Sequence, residues 1–356
     1  MRLIITGLLL ILLGYLLFWP VPIQPQAWQP PEPPARSGVL AQNTHLEGAQ
    51  RVLREQGFGG EAVALDAQGR VYTGFANGDL VRLDPATDVH VLLGNTGGRP
   101  LGLALDAQEQ LWIADAERGL LRWSDGELTV ELREVAGVPL GFADDLVIAD
   151  NGTIYLSDAS VRFDHHHVRA DFFEHAANGR VVAFDPANGV SRVVLDGLYF
   201  ANGLALSPGE DFLLINETSR YRTRRLWLRG PQAGQDEVWA SNWPGFPDNI
   251  RVASDGGYWL ALYAPRNPML DWVLPRPFWR RVIWRLPRFL QPDPPAVAHV
   301  LHLDAQGRIQ GSLQGQGQGV FAPITCVVEG PRHLWFGSLS AEGLARFPLS
   351  QALSAD

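Results

Sequence analysis

The sequence predicts an all-β fold, a six-bladed β-propeller, preceded by an N-terminal transmembrane helix. Three observations carry this. A phrase made of a polar residue, a short apolar run, a Ser/Asp/Gly turn and an aromatic-rich strand recurs at 61–73, 101–113, 144–156, 202–214, 248–260 and 324–336. One strand-turn-strand unit cannot bury its own apolar faces and must pack against copies of itself, which is the logic of a propeller. The phrases begin 40, 43, 58, 46 and 76 residues apart; the short spacings match a four-stranded blade, and the long ones imply insertions. Finally, residues 3–19 form an uncharged, Leu-rich run behind Arg2.

In chain order, 1–19 reads as a transmembrane signal anchor, because the run approaches the roughly 17–25 residues that cross a bilayer as a helix. It ends in Leu16-Leu17-Phe18-Trp19-Pro20, with no small-residue cleavage site. Arg2 on the short side then predicts a single-pass membrane protein with a cytoplasmic N-terminus and a propeller on the periplasmic or extracytoplasmic side. The Pro-rich stretch 20–36 reads as a stiff spacer, and 37–356 as the propeller. The insertion 160–177 carries His165, His166, His167 and His175. Consecutive residues on a strand face opposite ways, so the run does not chelate one ion as a set; it reads as a surface loop, or as part of the channel mouth. In the insertion 267–291, Trp272, Phe278, Trp279, Ile283, Trp284 and Phe289 are interspersed with Arg276, Arg280, Arg281, Arg285 and Arg288. Such a segment either lies in a lipid headgroup layer, adding a second membrane contact, or packs over the propeller face.

Composition excludes several chemistries. A net charge of -9 gives no reason to expect nucleic-acid binding. All 29 basic residues are arginine, so no Schiff-base lysine exists. Cys326 is the only cysteine; no intrachain disulfide forms, and its apolar strand assigns it to packing. No Gly-x-Ser-x-Gly nucleophile motif is present. Asn151-Gly152-Thr153 and Asn216-Glu217-Thr218 match glycosylation sequons.

The phase of the repeat points to a site. Its first residues are Glu61, Leu101, Asp144, Asn202, Asp248 and Ile324, so four of six offer a side-chain oxygen. If each phrase opens the innermost strand of a blade, those four converge on one end of the central channel. Converging carboxylates repel, and they either hold protons or bind a cation.

The phrases Phe200-Ala201-Asn202-Gly203, Gly230-Pro231-Gln232-Ala233-Gly234 and Pro244-Gly245-Phe246-Pro247-Asp248-Asn249-Ile250 resemble the strictosidine synthase-like family, in particular its adipocyte plasma membrane-associated protein type. The likeness runs over nearly the whole chain in the same order. It implies kinship with paraoxonases and the SMP-30/gluconolactonase enzymes, six-bladed propellers that hold Ca²⁺ or another divalent ion in the channel and hydrolyse esters or lactones. Carried over by position, the metal ligands are Glu61, Asp144, Asn202, Asp248 and Asn249, a hard oxygen set that suits Ca²⁺ or Mg²⁺. The expected activity is a membrane-anchored, metal-dependent ester or lactone hydrolase acting on a small molecule, with Asp248 or Asp145 as proton acceptor. Two departures matter: Leu101 stands where paraoxonases place a histidine, and Glu329 sits at a turn rather than at the position of the strictosidine synthase glutamate. The rival reading is a non-catalytic scaffold with a structural Ca²⁺, and a condensing enzyme of the strictosidine synthase type ranks below both.

Overall fold

The computed structural model describes residues 1–291 and 294–354. Its body is a ring of six four-stranded antiparallel blades. The innermost strands are Val63–Leu65, Pro100–Leu105, Ala143–Ile148, Ala201–Leu206, Gly245–Val252 and Cys326–Glu329, and each touches the next around the ring. Each phrase is therefore the inner hairpin of one blade. Its turn is chemically defined. Asp66 accepts the N–H groups of Gln68 and Arg70 at 3.0 and 2.8 Å, Gly69 adopts φ +78°, and Asp106 repeats the pattern with Gln108 and Gln110.

The core is divided among the junctions between blades. Tyr72 and Leu80 of the first blade pack on Leu111 and Leu121 of the second, and Leu214 of the fourth on Tyr258 and Leu301 of the fifth. Equivalent clusters fill the remaining four junctions. Cys326 is buried in the junction of the sixth and first blades, where burial pushes its thiol up to about 12. The ring closes with a strand from upstream of the first phrase: Gln50–Val52 pairs with Leu344–Pro348 as the outer strand of the sixth blade.

Both insertions join the second and third strands of their blades, between Ile154–Asp158 and Gly179–Asp185 in the third and between Tyr258–Pro265 and Ala298–Leu303 in the fifth. In an antiparallel blade this connection lies at the end where the inner strand begins. Both insertions thus cover the ligand end of the channel. The first forms a 3₁₀ turn, His165–His167, and a helix α2, Val168–Glu174; the second forms α3, Pro268–Val273, and α4, Pro277–Trp284.

Two expectations about the N-terminal part are corrected, and the second insertion follows one of its two readings. The apolar run does form a helix, α1, Arg2–Phe18, but its 17 residues give a length of about 26 Å against a hydrocarbon core of about 30 Å. Among the described residues no helix is long and apolar enough to cross a membrane. The transmembrane anchor, and with it the single-pass topology and the membrane as partner, is not borne out. The C-terminal end of α1 is instead tied to α4: Arg285 donates to the carbonyls of Trp19 and Leu16, and the Tyr15 hydroxyl donates to the Arg285 carbonyl. Nor is 20–36 a free-standing spacer. It runs as a strap over the insertions, with Ile23 buried against Ala170 and Phe173, the Gln26 and Trp28 N–H groups donating to the Glu174 and Leu274 carbonyls, and Arg266 donating to the Pro31 carbonyl. Of the two readings of the second insertion, packing over the propeller face is the one seen, with Arg280 fully buried and Arg285 largely so, while Arg276, Arg281 and Arg288 stay exposed. Arg280 donates to the carbonyls of Phe173, Glu174, Leu274 and Gln26, joining α2, α3 and the strap at one guanidinium.

Candidate functional site

Asp144, Asn202 and Asp248 lie within their inner strands and Glu61 stands two residues ahead of its own, so all four open onto the same end of the channel. At each of the three strand positions the ladder to the second strand slips, between Ala143 and Leu146, Ala201 and Leu204, and Pro247 and Ile250. Such bulges break the alternation of side chains and re-aim them, which lets the adjacent pairs Asp144/Asp145 and Asp248/Asn249 serve different partners. Gly203 allows the fourth and fifth inner strands to approach at this level, since a Cβ there would lie 2.4 Å from the Asp248 carbonyl oxygen.

The electrostatics are those of crowded carboxyls in a dry site. Burial raises Glu61 to about 7, Arg99 pulls it back and Asp145 adds to the rise. Burial followed by repulsion from Glu61 holds both Asp144 and Asp248 well above the usual carboxylate range. The Asn202 side chain beside Asp248 opposes that rise. Four oxygens at these positions, Glu61 Oε2, Asn202 Oδ1, Asp248 Oδ1 and Asn249 Oδ1, are buried without a hydrogen-bond donor. Buried acceptors are ordinarily satisfied, and a set of orphan carboxylate and carboxamide oxygens is the donor chemistry of Ca²⁺ or Mg²⁺. The residues present therefore fit a divalent cation.

Supporting contacts hold these positions. Trp243 Nε1 donates to Thr223 Oγ1 at 3.0 Å, Thr223 donates to Asn216 Oδ1 at 2.6 Å, and Asn216 Nδ2 donates to the Asp248 carbonyl at 2.5 Å. The Asn249 amide donates to the Thr325 carbonyl at 3.0 Å, linking the fifth and sixth blades. Arg99 stands 3.7 Å from Glu61 and donates to the Gly59 and Leu339 carbonyls. Asn216, which the sequence presents as a sequon, is fully buried in this network. Asp145 differs from the other candidates. Its carboxylate receives two N–H groups of Arg251, each at 2.7 Å, and the Leu204 N–H at 2.8 Å, so it cross-links the third, fourth and fifth blades and is fully engaged.

An aromatic layer closes the ligand end. Phe142, Phe200 and Phe246 stand two residues ahead of Asp144, Asn202 and Asp248; the rings of Phe142 and Phe200 meet edge to face at 5.4 Å, and Phe172 of α2 contacts Phe200 at 4.9 Å and Phe246 at 5.9 Å. Leu101, at the position without an oxygen, packs in the same cluster as Phe142 and Phe200. The sequence singled out the four channel positions but gave no role to Phe142, Phe200, Phe246 or Arg99, although all four stand two residues ahead of a repeat position.

The histidine run is corrected in one respect. In the 3₁₀ turn successive side chains are not opposed, and the rings of His165 and His166 lie 3.7 Å apart. Their Nε2 atoms reach Glu117 Oε1 at 3.3 and 3.7 Å. Among the described residues this trio has all its donor atoms within 4.8 Å of one another and can coordinate a divalent metal.

Comparison with known proteins agrees with this architecture. The family model described as strictosidine synthase matches residues 144–231, and that described as strictosidine synthase-like, N-terminal, matches 38–83. The human adipocyte plasma membrane-associated protein is 33% identical over 361 residues, covering 95% of this chain and 86% of its own length. The chain belongs to the strictosidine synthase-like family. A plant member, protein STRICTOSIDINE SYNTHASE-LIKE 4 of Arabidopsis thaliana, is 35% identical over 290 residues, covering 78% of this chain and 76% of its own. Among solved structures, a gluconolactonase from Xanthomonas campestris superposes with a TM-score of 0.61 at 17% identity, over 86% of this chain and 93% of that one. A calcium-binding regucalcin from Agrobacterium tumefaciens gives 0.60 at 17%, over 84% and 92%. At these identities the structural likeness establishes the six-bladed fold that the family member adopts.

Proposed function

We propose that the channel site binds a divalent cation, Ca²⁺ ahead of Mg²⁺, and hydrolyses a carboxylic ester or lactone of a small molecule. The observation that carries this reading is the group of four buried oxygens without donors, contributed by Glu61, Asn202, Asp248 and Asn249 at the end of the channel that the insertions cover. Asp144 completes the set of residues that would hold the ion. A bound divalent cation supplies Lewis-acid polarisation of the substrate carbonyl and stabilises the developing oxyanion. Asp248 is assigned the proton from the attacking water, because it is the one of the two candidate carboxylates that is not committed to an ion pair with an arginine. Asp145, the other candidate for that role, is held in its ion pair with Arg251 and keeps the framework rigid. Arg99 stabilises the ionised form of Glu61. Phe142, Phe200, Phe246 and Phe172 exclude bulk water and offer an apolar wall to the acyl or leaving group. A gluconolactonase and a calcium-binding regucalcin among the structures of like fold agree with this class of chemistry.

One observation favours a second reading, a non-catalytic propeller with a structural ion: Leu101 fills the position of a proton-transferring histidine and lies packed in the aromatic layer. The two readings separate in one experiment. The full chain, stripped of metal and then given Ca²⁺, is assayed with phenyl acetate and a simple lactone beside the Asn202→Ala variant. The hydrolase reading expects turnover restored by Ca²⁺ and reduced by roughly 10–100-fold in the variant at unchanged folded fraction. A Ca²⁺-dependent rise in Tm with no turnover on either substrate would establish the scaffold instead.

A further inference from the structure

The cluster of Glu117, His165 and His166 stands apart from the channel ligands, and its donor atoms differ in kind. It joins the turn between the second and third strands of the second blade to the first insertion, the segment that carries α2 over the channel. Two imidazoles direct Nε2 at the same carboxylate oxygen, at 3.3 and 3.7 Å. An ion pair accounts for one of them only. With both rings protonated, two cations would sit 3.7 Å apart, ring to ring. With both neutral, three lone pairs can face one point; the nitrogen–oxygen separations of 3.3 and 3.7 Å are close to the ~3.3 Å between ligand atoms of a tetrahedral ion with bonds near 2.0–2.1 Å, and all three donor atoms lie within 4.8 Å of one another.

The trio is also held in place. The Glu117 and Arg118 N–H groups both donate to Asp115 Oδ1 at 3.0 Å, which fixes the turn. Asp164 accepts the backbone N–H of His167 and contacts its Nδ1 at 2.7 Å, so the third histidine is drawn off to a separate partner while the other two face Glu117. The His165 ring lies against the edge of Phe142 at 6.3 Å, and its side chain is only 17% exposed. Phe142 belongs to the aromatic layer two residues from Asp144, which places the cluster at the lip of the channel.

We propose that Glu117, His165 and His166 form a second metal site, selective for a borderline transition ion such as Zn²⁺ or Co²⁺ over Ca²⁺ and Mg²⁺, which clamps the first insertion to the second blade. Two imidazoles and one carboxylate suit such ions, whereas the channel offers oxygens alone. Three protein ligands leave a fourth position open to solvent. The clamp does not depend on what the channel catalyses.

The test uses the full chain, metal-stripped, titrated with Co²⁺ in the presence of saturating Ca²⁺, reading the visible absorption of low-coordinate Co²⁺ and, in parallel, protease cleavage within 160–177 with and without Zn²⁺. The proposal expects one equivalent of Co²⁺ displaced by Zn²⁺ but not by Ca²⁺, and protection of the insertion by Zn²⁺. His166→Ala and Glu117→Gln, both at exposed positions, should each weaken Co²⁺ binding by more than roughly 10-fold and abolish the protection. His167→Ala and Asn202→Ala should bind Co²⁺ as the wild type does. Wild-type Co²⁺ binding in both His166→Ala and Glu117→Gln, or displacement of Co²⁺ by Ca²⁺, would overturn it.

Discussion

Asp144 and Asp145 are neighbours in sequence and opposites in chemistry, as are Asp248 and Asn249, because a bulge in each strand sends adjacent side chains to different partners. This has a measurable consequence. Asp145→Ala leaves the mostly buried Arg251 guanidinium without its carboxylate and should destabilise the fold by about 3 kcal/mol in urea unfolding. Asp248→Asn removes a charge that burial already disfavours, so it should leave metal-free stability unchanged or higher while weakening Ca²⁺ binding; equal losses of stability in the two variants would refute this division. A pH dependence follows from the raised carboxyls. In the unfolded chain Glu61 releases its proton near 4.5 and Asp144 and Asp248 near 3.8, whereas in the fold Glu61 holds its proton to about 7 and both aspartates are shifted the same way. The folded state therefore binds more protons over about pH 4 to 7, and the contribution of these groups to the stability of the metal-free chain falls as pH rises through that window. Ca²⁺ displaces the same protons, so its apparent affinity should climb with pH at least until Glu61 is ionised, at about 7. Thermal melts with and without Ca²⁺ across this range check it, and an affinity independent of pH would contradict it. The four channel positions Glu61, Asp144, Asn202 and Asp248 were legible because they recur at one phase of a repeat. Arg251, Arg99 and Asn216 were not, since each owes its role to a partner 32 or more residues away.

Among the elements, the inner hairpins could be read directly, from a short polar turn between apolar strands. The insertions could not. The histidine run was read with the two-residue period of a strand, and its 3₁₀ geometry brings two rings together instead. In 267–291 the alternation of aromatics and arginines gave no sign that Arg280 turns inward, because a buried guanidinium needs backbone carbonyls that only the assembled α2, α3 and strap provide. Arg280→Met keeps the aliphatic bulk and removes the guanidinium donors to those four carbonyls, of which Glu174 and Leu274 keep an N–H donor from the strap. The cost should be about 2 kcal/mol or more, confined to the covering layer. Limited proteolysis should then cut faster within 20–36 while the main thermal transition of the blades moves little; unchanged cleavage would show that the guanidinium does not hold the layer.

The whole molecule is a closed ring beneath a separate cover, and the two depend on different parts of the N-terminal region. Hydropathy identified α1 correctly as an apolar helix, but helix length and the docking of its end by Arg285 decide what it can do, and neither is a property of composition. Removing 1–36 should leave a cooperative melt and Ca²⁺ binding intact, because Gln50–Val52 remains to complete the sixth blade. Removing 1–52 exposes an unpaired strand edge and should give a large drop in Tm with association of the opened rings; size-exclusion chromatography and melting of the two truncations measure the difference. The attachment of α1 also defines a load path. Arg285 fastens α1 to α4, and the strap that follows is fastened in turn to α2 and α3. Tension applied to the N-terminal helix is borne by these few side-chain contacts before it reaches the strand ladders of the ring. Force would therefore strip the cover from the channel entrance while the propeller beneath it keeps its shape.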